Sequence, residues 1–189
     1  MSRADELYRQ TCLDILNNGF YDTDLEVRPR WADGTPAHQL LIRGQSIPEG
    51  LYHLSCDILV QHRDGDYLLM QRDTAKPNYG GWYEASAGGS ALQGEDRLAC
   101  AQRELQEETG ITQGHLTEIG RCIIKDTIYH QYLCLTDCAK DSITLQPGET
   151  MGYRWVSEEA FIAFIQSDQM IPRQRERFQP FFRRMGYLR

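Results

Sequence analysis

No run in this 189-residue chain approaches the roughly 20 consecutive apolar residues that a membrane-spanning helix requires. The opening Met1-Ser2-Arg3-Ala4-Asp5-Glu6 likewise has no apolar signal segment, so a cytoplasmic protein with no membrane partner is expected. Positive charge is in short supply: 20 lysines and arginines face 27 aspartates and glutamates, for a net charge of −7 and a pI near 5.2. That balance argues against bulk attraction to nucleic acid and leaves a small charged ligand as the expected partner. None of the six cysteines, Cys12, Cys56, Cys100, Cys122, Cys134 and Cys138, stands in a Cys-x-x-Cys pair, and no histidine completes a zinc set around Cys134 and Cys138. Buried free thiols are expected. His53, His62, His115 and His130 show no paired spacing and read as structural or surface residues. Internal repeats and low-complexity tracts are absent.

What is present fits one main domain with a small extension. Leu7, Tyr8, Cys12, Ile15 and Leu16 recur at helical spacing from Ala4 to Leu16, and Asn17-Asn18-Gly19 supplies a stop. Prolines and glycines from Pro29 to Gly50 punctuate an irregular stretch, which places an extension over 1–41 and the main domain over 42–189. Tyr52 to Gln61 reads as a strand, and the turn signal Asp64-Gly65 leads into a second from Tyr67 to Met70. A loop from Lys76 to Trp82 follows. A helix is expected after Glu95-Asp96, with Leu98, Ala101 and Leu105 as its buried stripe and Gly110 as its stop. Strands near Ile119 to Asp126, Ile128 to Leu135 and Tyr153 to Val156 precede helices near Glu158 to Gln166 and Arg173 to Met185. The last alternates arginines (Arg173, Arg175, Arg177, Arg183, Arg184) with Phe178, Phe181 and Phe182, an amphipathic closing helix whose basic face could also attract a phosphate.

Glu104, Glu107 and Glu108 fall at i, i+3 and i+4 of the glycine-stopped helix, on one face. At about 6 Å and an effective dielectric of about 20, each carboxylate pair repels by on the order of 3 kcal/mol. A divalent cation reverses that sign. An all-oxygen ligand set suits magnesium, which usually joins a protein to a substrate phosphate, so phosphate chemistry is expected.

Gly89 is followed after five residues by Glu95, after seven more by Arg103-Glu104-Leu105, and then by Glu107-Glu108-Thr109-Gly110-Ile111. This spacing resembles the Nudix box, G-x5-E-x7-R-E-U-x-E-E-x-G-U with U aliphatic, at every defined position. The resemblance implies an α/β (α+β) fold, a mixed β-sheet sandwiched between α-helices, with the box as a strand-loop-helix that binds magnesium or manganese. It also implies hydrolysis of a nucleoside diphosphate derivative by a metal-activated water. Glu107 and Glu108 carry over as metal ligands, with the carbonyl of Gly88 or Gly89 as a further oxygen. Glu104 is a ligand or the base that deprotonates the water. Arg103 and Glu95 form a supporting ion pair, and the glycines let the loop approach the phosphates.

Around the box, Arg72, Lys76 and Arg43 are candidates for substrate phosphates, with surface roles as the plainer reading. Trp82 and Tyr83 could stack on a base, though core packing is favoured. Glu149, in a loop before the last strand, is an alternative base or extra ligand. A Nudix-fold sensor that binds a nucleotide without cleaving it is the second class to separate from an enzyme.

Two further resemblances bear on the reading. Arg43-Gly44-Gln45-Ser46-Ile47-Pro48-Glu49-Gly50-Leu51-Tyr52-His53 looks like the entry of the Nudix subgroup related to isopentenyl-diphosphate isomerase. Where the isomerase carries its catalytic Cys and a ligand His, this chain has Ala87 and Gly89, so hydrolysis is retained and isomerisation is not. Residues from about Asp5 to Leu41, including Val27-Arg28-Pro29-Arg30-Trp31, are similar to the N-terminus of bacterial thymidylate synthases, without the synthase's Pro-Pro-Cys nucleophile. That likeness implies an arm that packs or forms a homodimer, or a phosphate grip through Arg28 or Arg30 with a pyrimidine deoxynucleotide as substrate.

Overall fold

The computed structural model describes residues 26–37, 41–42 and 46–189. The helix expected from Ala4 to Leu16 and the candidate Arg43 lie outside the described residues. Short strands β1 (Glu26–Val27) and β3 (Leu41–Ile42) pair with each other, while β2 (Arg30–Trp31) joins the main sheet through β4 (Leu51–His62). β4 is the spine. Over ten residues it runs parallel to β9 (Thr127–Thr136), which forms an antiparallel hairpin with β8 (His115–Ile124).

On its other side β4 meets β5 (Tyr67–Arg72) at a single register pair, Gln61 with Tyr67, and then the two diverge. The gap is filled by β6 (Tyr83–Ala85), which pairs with β5, and β7 (Ala87–Ser90), which pairs with β4. Ser86 sits where the strands part, at φ 59° and almost fully buried. Its hydroxyl accepts from Val60 N–H and donates to the Leu68 carbonyl, both at 2.8 Å, so it satisfies one backbone group on each separating strand. β10 (Thr150–Val156) closes the edge beside β5.

Strand alternation builds two cores, because successive side chains point to opposite faces. Leu54, Cys56, Ile58 and Val60 of β4, with Leu68 and Met70 of β5, meet helix α1 (Arg97–Thr109) through Cys100, Ala101 and Leu105. Leu59, Tyr67 and Leu69 face the other way, against α2 (Glu158–Gln166) and α3 (Pro172–Arg184), which contribute Phe161, Phe164, Phe178, Phe181 and Phe182. The sheet therefore lies between helices, as the sequence leads one to expect. Among the described residues no helix is long and apolar enough to cross a membrane.

Three expectations change. Leu98 is 42% exposed, and Cys100 takes the inward place beside Ala101 and Leu105. Trp82, expected in the core, is 39% exposed, its ring edge-on to Tyr79 at 5.2 Å. The closing helix offers only part of its basic face, because Arg177 is paired with Asp57, Arg175 donates to the Ser167 carbonyl and Arg184 to that of Ile119, while Arg173 and Arg183 stay exposed. Of the cysteines, Cys56, Cys100 and Cys134 are buried free thiols, whereas Cys122 and Cys138 are partly exposed.

Candidate active site

Helix α1 is set by its ends. Asp96 caps it, accepting from Leu98 N–H at 2.9 Å and Ala99 N–H at 2.8 Å, which satisfies two of the first-turn donors. Gly110 ends it at φ 74°, and a Cβ there would lie 2.9 Å from the Thr144 side chain. Between these ends the inward face carries not only Cys100, Ala101 and Leu105 but also Glu104 and Glu108, 8% and 7% exposed. Two carboxylates on a buried stripe are costly unless partnered.

The partners come from β7 and from Arg103. Gly88 N–H donates to Glu108 Oε2 at 3.0 Å. Gly89 lies directly beneath Glu104, where a Cβ would sit 2.2 Å from Oε1; at Gly88 it would sit 2.5 Å from the Cys56 carbonyl. Both glycines are required by close approach. The hydroxyl of Ser55 donates to the Gly89 carbonyl at 2.8 Å.

Arg103 has all five N–H groups engaged. Nε and Nη2 grip the two oxygens of Glu95 at 2.7 and 3.0 Å, Nη1 reaches Glu104 Oε1 and Glu107 Oε2 at 2.9 Å each, and Nη2 also donates to the Ser90 carbonyl at 2.9 Å. One guanidinium thus holds three carboxylates. Burial alone would lower its pKa, but the carboxylate partners, led by Glu95, raise it above the ordinary value.

A polar cleft of about 340 Å³ gathers Arg72, Lys76, Gly88, Gly89, Ser90, Arg103, Glu104, Glu107, Glu108, Gln146 and Glu149. Lys76 and Glu149 form a salt bridge across it. Arg72 pairs with Glu84, Nη1 lying 3.0 Å from both carboxylate oxygens. Burial raises the pKa of Glu84, against the nearby Arg72 charge. Glu108 is pushed well above the usual carboxylate range, first by burial and then by the charges of Glu84 and Glu104. The structure therefore brings together Arg72, Lys76, Gly88, Gly89, Arg103, Glu104, Glu107, Glu108 and Glu149, with Glu95 and Gly110 behind the cleft as supports, and leaves Arg28 and Arg30 outside it.

Sequence reasoning missed Glu84 and Ser55. The available signal for Glu84 was an acid inside the small-residue run Tyr83-Glu84-Ala85-Ser86-Ala87-Gly88-Gly89. Arg30, a candidate phosphate grip, instead donates to the carbonyls of Gly34 and Glu95 and braces the entry of α1.

For a hard divalent cation the donor chemistry fits, since the inward groups are carboxylate oxygens and one carboxyl, Glu108, is held against its own ionisation first by burial and then by neighbouring negative charge. No three His, Cys, Asp or Glu side chains among the described residues are spaced to hold a metal as they stand. Arg103 Nη1 engages Glu104 and Glu107 together, at 2.9 Å each.

The NUDIX domain profile matches residues 51–180. A Nudix hydrolase of Listeria monocytogenes is 30% identical over 137 residues, 69% of this chain and 79% of that one. Among solved structures, a Deinococcus radiodurans protein superposes with a TM-score of 0.64 at 15% identity, over 84% of this chain and 98% of that one. The MutT protein of Methanosarcina mazei does so with 0.54 at 22% identity, over 71% and 95%. A separate local match of 48 residues, 25% of this chain, is 40% identical to 17% of the thymidylate synthase of Bacillus phage phi3T.

Proposed function

The chain belongs to the Nudix family of hydrolases, and we propose that it cleaves the diphosphate linkage of a small nucleoside diphosphate derivative with the help of a divalent cation, magnesium or manganese. The observation that carries the reading is the cleft itself, which gathers the box carboxylates with Arg72 and Lys76 in one polar space of about 340 Å³. Glu107, Glu108 and the Gly88 carbonyl would hold the cation, and Glu104 would join them on leaving Arg103. When bound, such an ion neutralises developing charge on the phosphoryl oxygens and acidifies a water.

The chain's own groups do the rest. Arg72 and Lys76 bind phosphate oxygens. Glu104, held beside Gly89 and Glu108 on the inward face of α1, takes the proton of the attacking water, with Glu149, tied to Lys76 across the cleft, as the alternative base. Isomerisation is not supported, because Ala87 and Gly89 offer neither a thiol nor an imidazole where the isomerase carries its Cys and His.

The test is purified protein with magnesium against a panel of nucleoside diphosphate derivatives, with the products identified. Release of a nucleoside monophosphate is expected, abolished by chelation. Glu104→Gln should lower kcat by about 10²- to 10⁴-fold, the usual worth of general base catalysis. Tight binding of a panel member with no cleavage of any would replace the enzyme with a nucleotide sensor.

A further inference from the structure

Three cations line the cleft among the described residues, and they are not equally available. Arg103 is saturated by its five bonds, and Lys76 is neutralised by Glu149. Arg72 is held along one side only. Its Nη1 meets both oxygens of Glu84 and its Nε donates to the Asn78 carbonyl at 3.3 Å, which leaves Nη2 without a partner among the described residues. Among the described residues the buried side-chain nitrogens lacking partners are Arg30 Nε and Arg175 Nε, so Arg72 Nη2 is an accessible donor.

Glu84 reaches Arg72 from beneath. It stands on β6 opposite Met70, a residue of the α1-side core, and cross-strand partners share a face. The neighbouring backbone is locked as well: Arg72 N–H donates to the Trp82 carbonyl at 2.9 Å, Gly81 N–H to the Arg72 carbonyl at 3.0 Å, and Gln71 Nε2 to the Gly81 carbonyl at 3.0 Å. An arginine fixed by a buried carboxylate loses less freedom when it binds an anion than a lysine on a flexible stem does.

We propose that Glu84 is a positioning residue, which aims the open Nη2 edge of Arg72 at the phosphoryl group of the diphosphate that is not attacked. This rests on the diphosphate reading above. It assigns to the chain a preference for substrates whose second phosphate offers Arg72 an anionic oxygen, over phosphomonoesters and phosphodiesters that lack one.

The test combines steady-state kinetics on one hydrolysed diphosphate with calorimetric binding of ADP in magnesium, for the wild type, Glu84→Gln, Glu84→Asp, Arg72→Ala and the Arg72→Ala/Glu84→Gln double variant. Glu84→Gln keeps the side-chain shape, and thermal unfolding checks that each variant folds. Glu84→Gln should raise KM and the Kd for ADP about tenfold while kcat stays within about threefold, the pattern of lost substrate binding. Glu84→Asp, which keeps the charge, should recover part of the loss. Arg72→Ala should do at least as much damage, and adding Glu84→Gln to it should do no more, because a residue acting through another has no effect once that other is gone. A Glu84→Gln effect that survives in full without Arg72, or a fall in kcat and magnesium affinity at constant KM, overturns the assignment and makes Glu84 a metal-site carboxylate. If no diphosphate is hydrolysed but ADP binding weakens in the expected pattern, the hydrolase reading fails and Glu84 keeps its role. If hydrolysis proceeds with KM unchanged in Glu84→Gln, the reverse holds.

Discussion

Arg72 with Glu84 and Arg177 with Asp57 are arginine–carboxylate pairs on opposite faces of one sheet, and their burial is close: 20% and 15% exposed for the first, 15% and 6% for the second. What separates them is the fork. Arg177 sets Nε and Nη2 against the two oxygens of Asp57, at 2.5 and 2.8 Å, with the Tyr129 ring 4.5 Å from its guanidinium carbon. Its Nη1 takes no part in the pair and borders a hollow lined by Tyr129, Arg173 and Glu176. Arg72 brings one nitrogen to both oxygens and keeps another open. The two-nitrogen fork thus fixes Arg177 on the α3 face, while Arg72, held to its carboxylate by one nitrogen, turns its open edge towards the carboxylate cleft on the α1 face.

The largest effect that tests this contrast is Asp57→Ala. It strands the Arg177 cation in a low-dielectric setting, and breaking a buried pair from one side costs about 3–5 kcal/mol. Urea denaturation should show that loss, with KM of the surviving folded enzyme unchanged. An intact stability with a raised KM would place Asp57 in the site and remove the distinction between the two pairs.

On the cleft side, removing charge should do the opposite. The raised carboxyl of Glu108 favours a protonated folded state, so its contribution to stability is complete below its ordinary value of 4.5 and drains away as pH rises towards the folded value. Metal-free protein should therefore lose more stability between about pH 4.5 and neutrality than Glu108→Gln, whose amide oxygen can still accept from Gly88 N–H. At pH 7 the variant should melt a few degrees higher, the shift that about 1 kcal/mol produces in a chain of this size. Magnesium should narrow that gap by stabilising the wild type near neutrality and not at pH 4. Melting curves with chelator and with magnesium across pH measure both effects, and parallel curves for the two proteins would show that Glu108 carries no such burden.

The reach of the sequence follows the same division. The box helix and its carboxylates were legible because their constraints are local: a cap at Asp96, a left-handed stop at Gly110, and acids three and four residues apart. The strands of the spine were legible from apolar runs and the Asp64-Gly65 turn. Asp57 with Arg177, 120 residues apart, and Ser86 bridging two strands were not, because nothing local announces a partner that only the fold brings near. Arg103 and Glu95 were legible as a supporting pair for the glutamates, without the direct bonds. That Arg103 also restrains Glu104 and Glu107 depends on the rotamers the cleft allows.

Leu98 shows how the cleft reshapes a local pattern, and it carries the smallest predicted effect. The apolar spacing Leu98, Ala101, Leu105 aims the helix one way, but Glu104 and Glu108 must reach Gly88 and Gly89, and that turns the helix until Leu98 falls at the edge of its buried face. There it borders a shallow hollow with Gln102, Gln106, Ile111 and His115. A surface change away from caps and networks shifts stability by about 0.5 kcal/mol or less, so Leu98→Gln should unfold in urea at nearly the wild-type midpoint. Its activity should be unchanged, since the side chain points away from the carboxylates. Running the comparison at two protein concentrations sharpens it: a destabilisation of about 2 kcal/mol that grows with concentration would mean that a second copy of the chain covers Leu98 in solution, because stability gained from association follows mass action and stability gained within one chain does not.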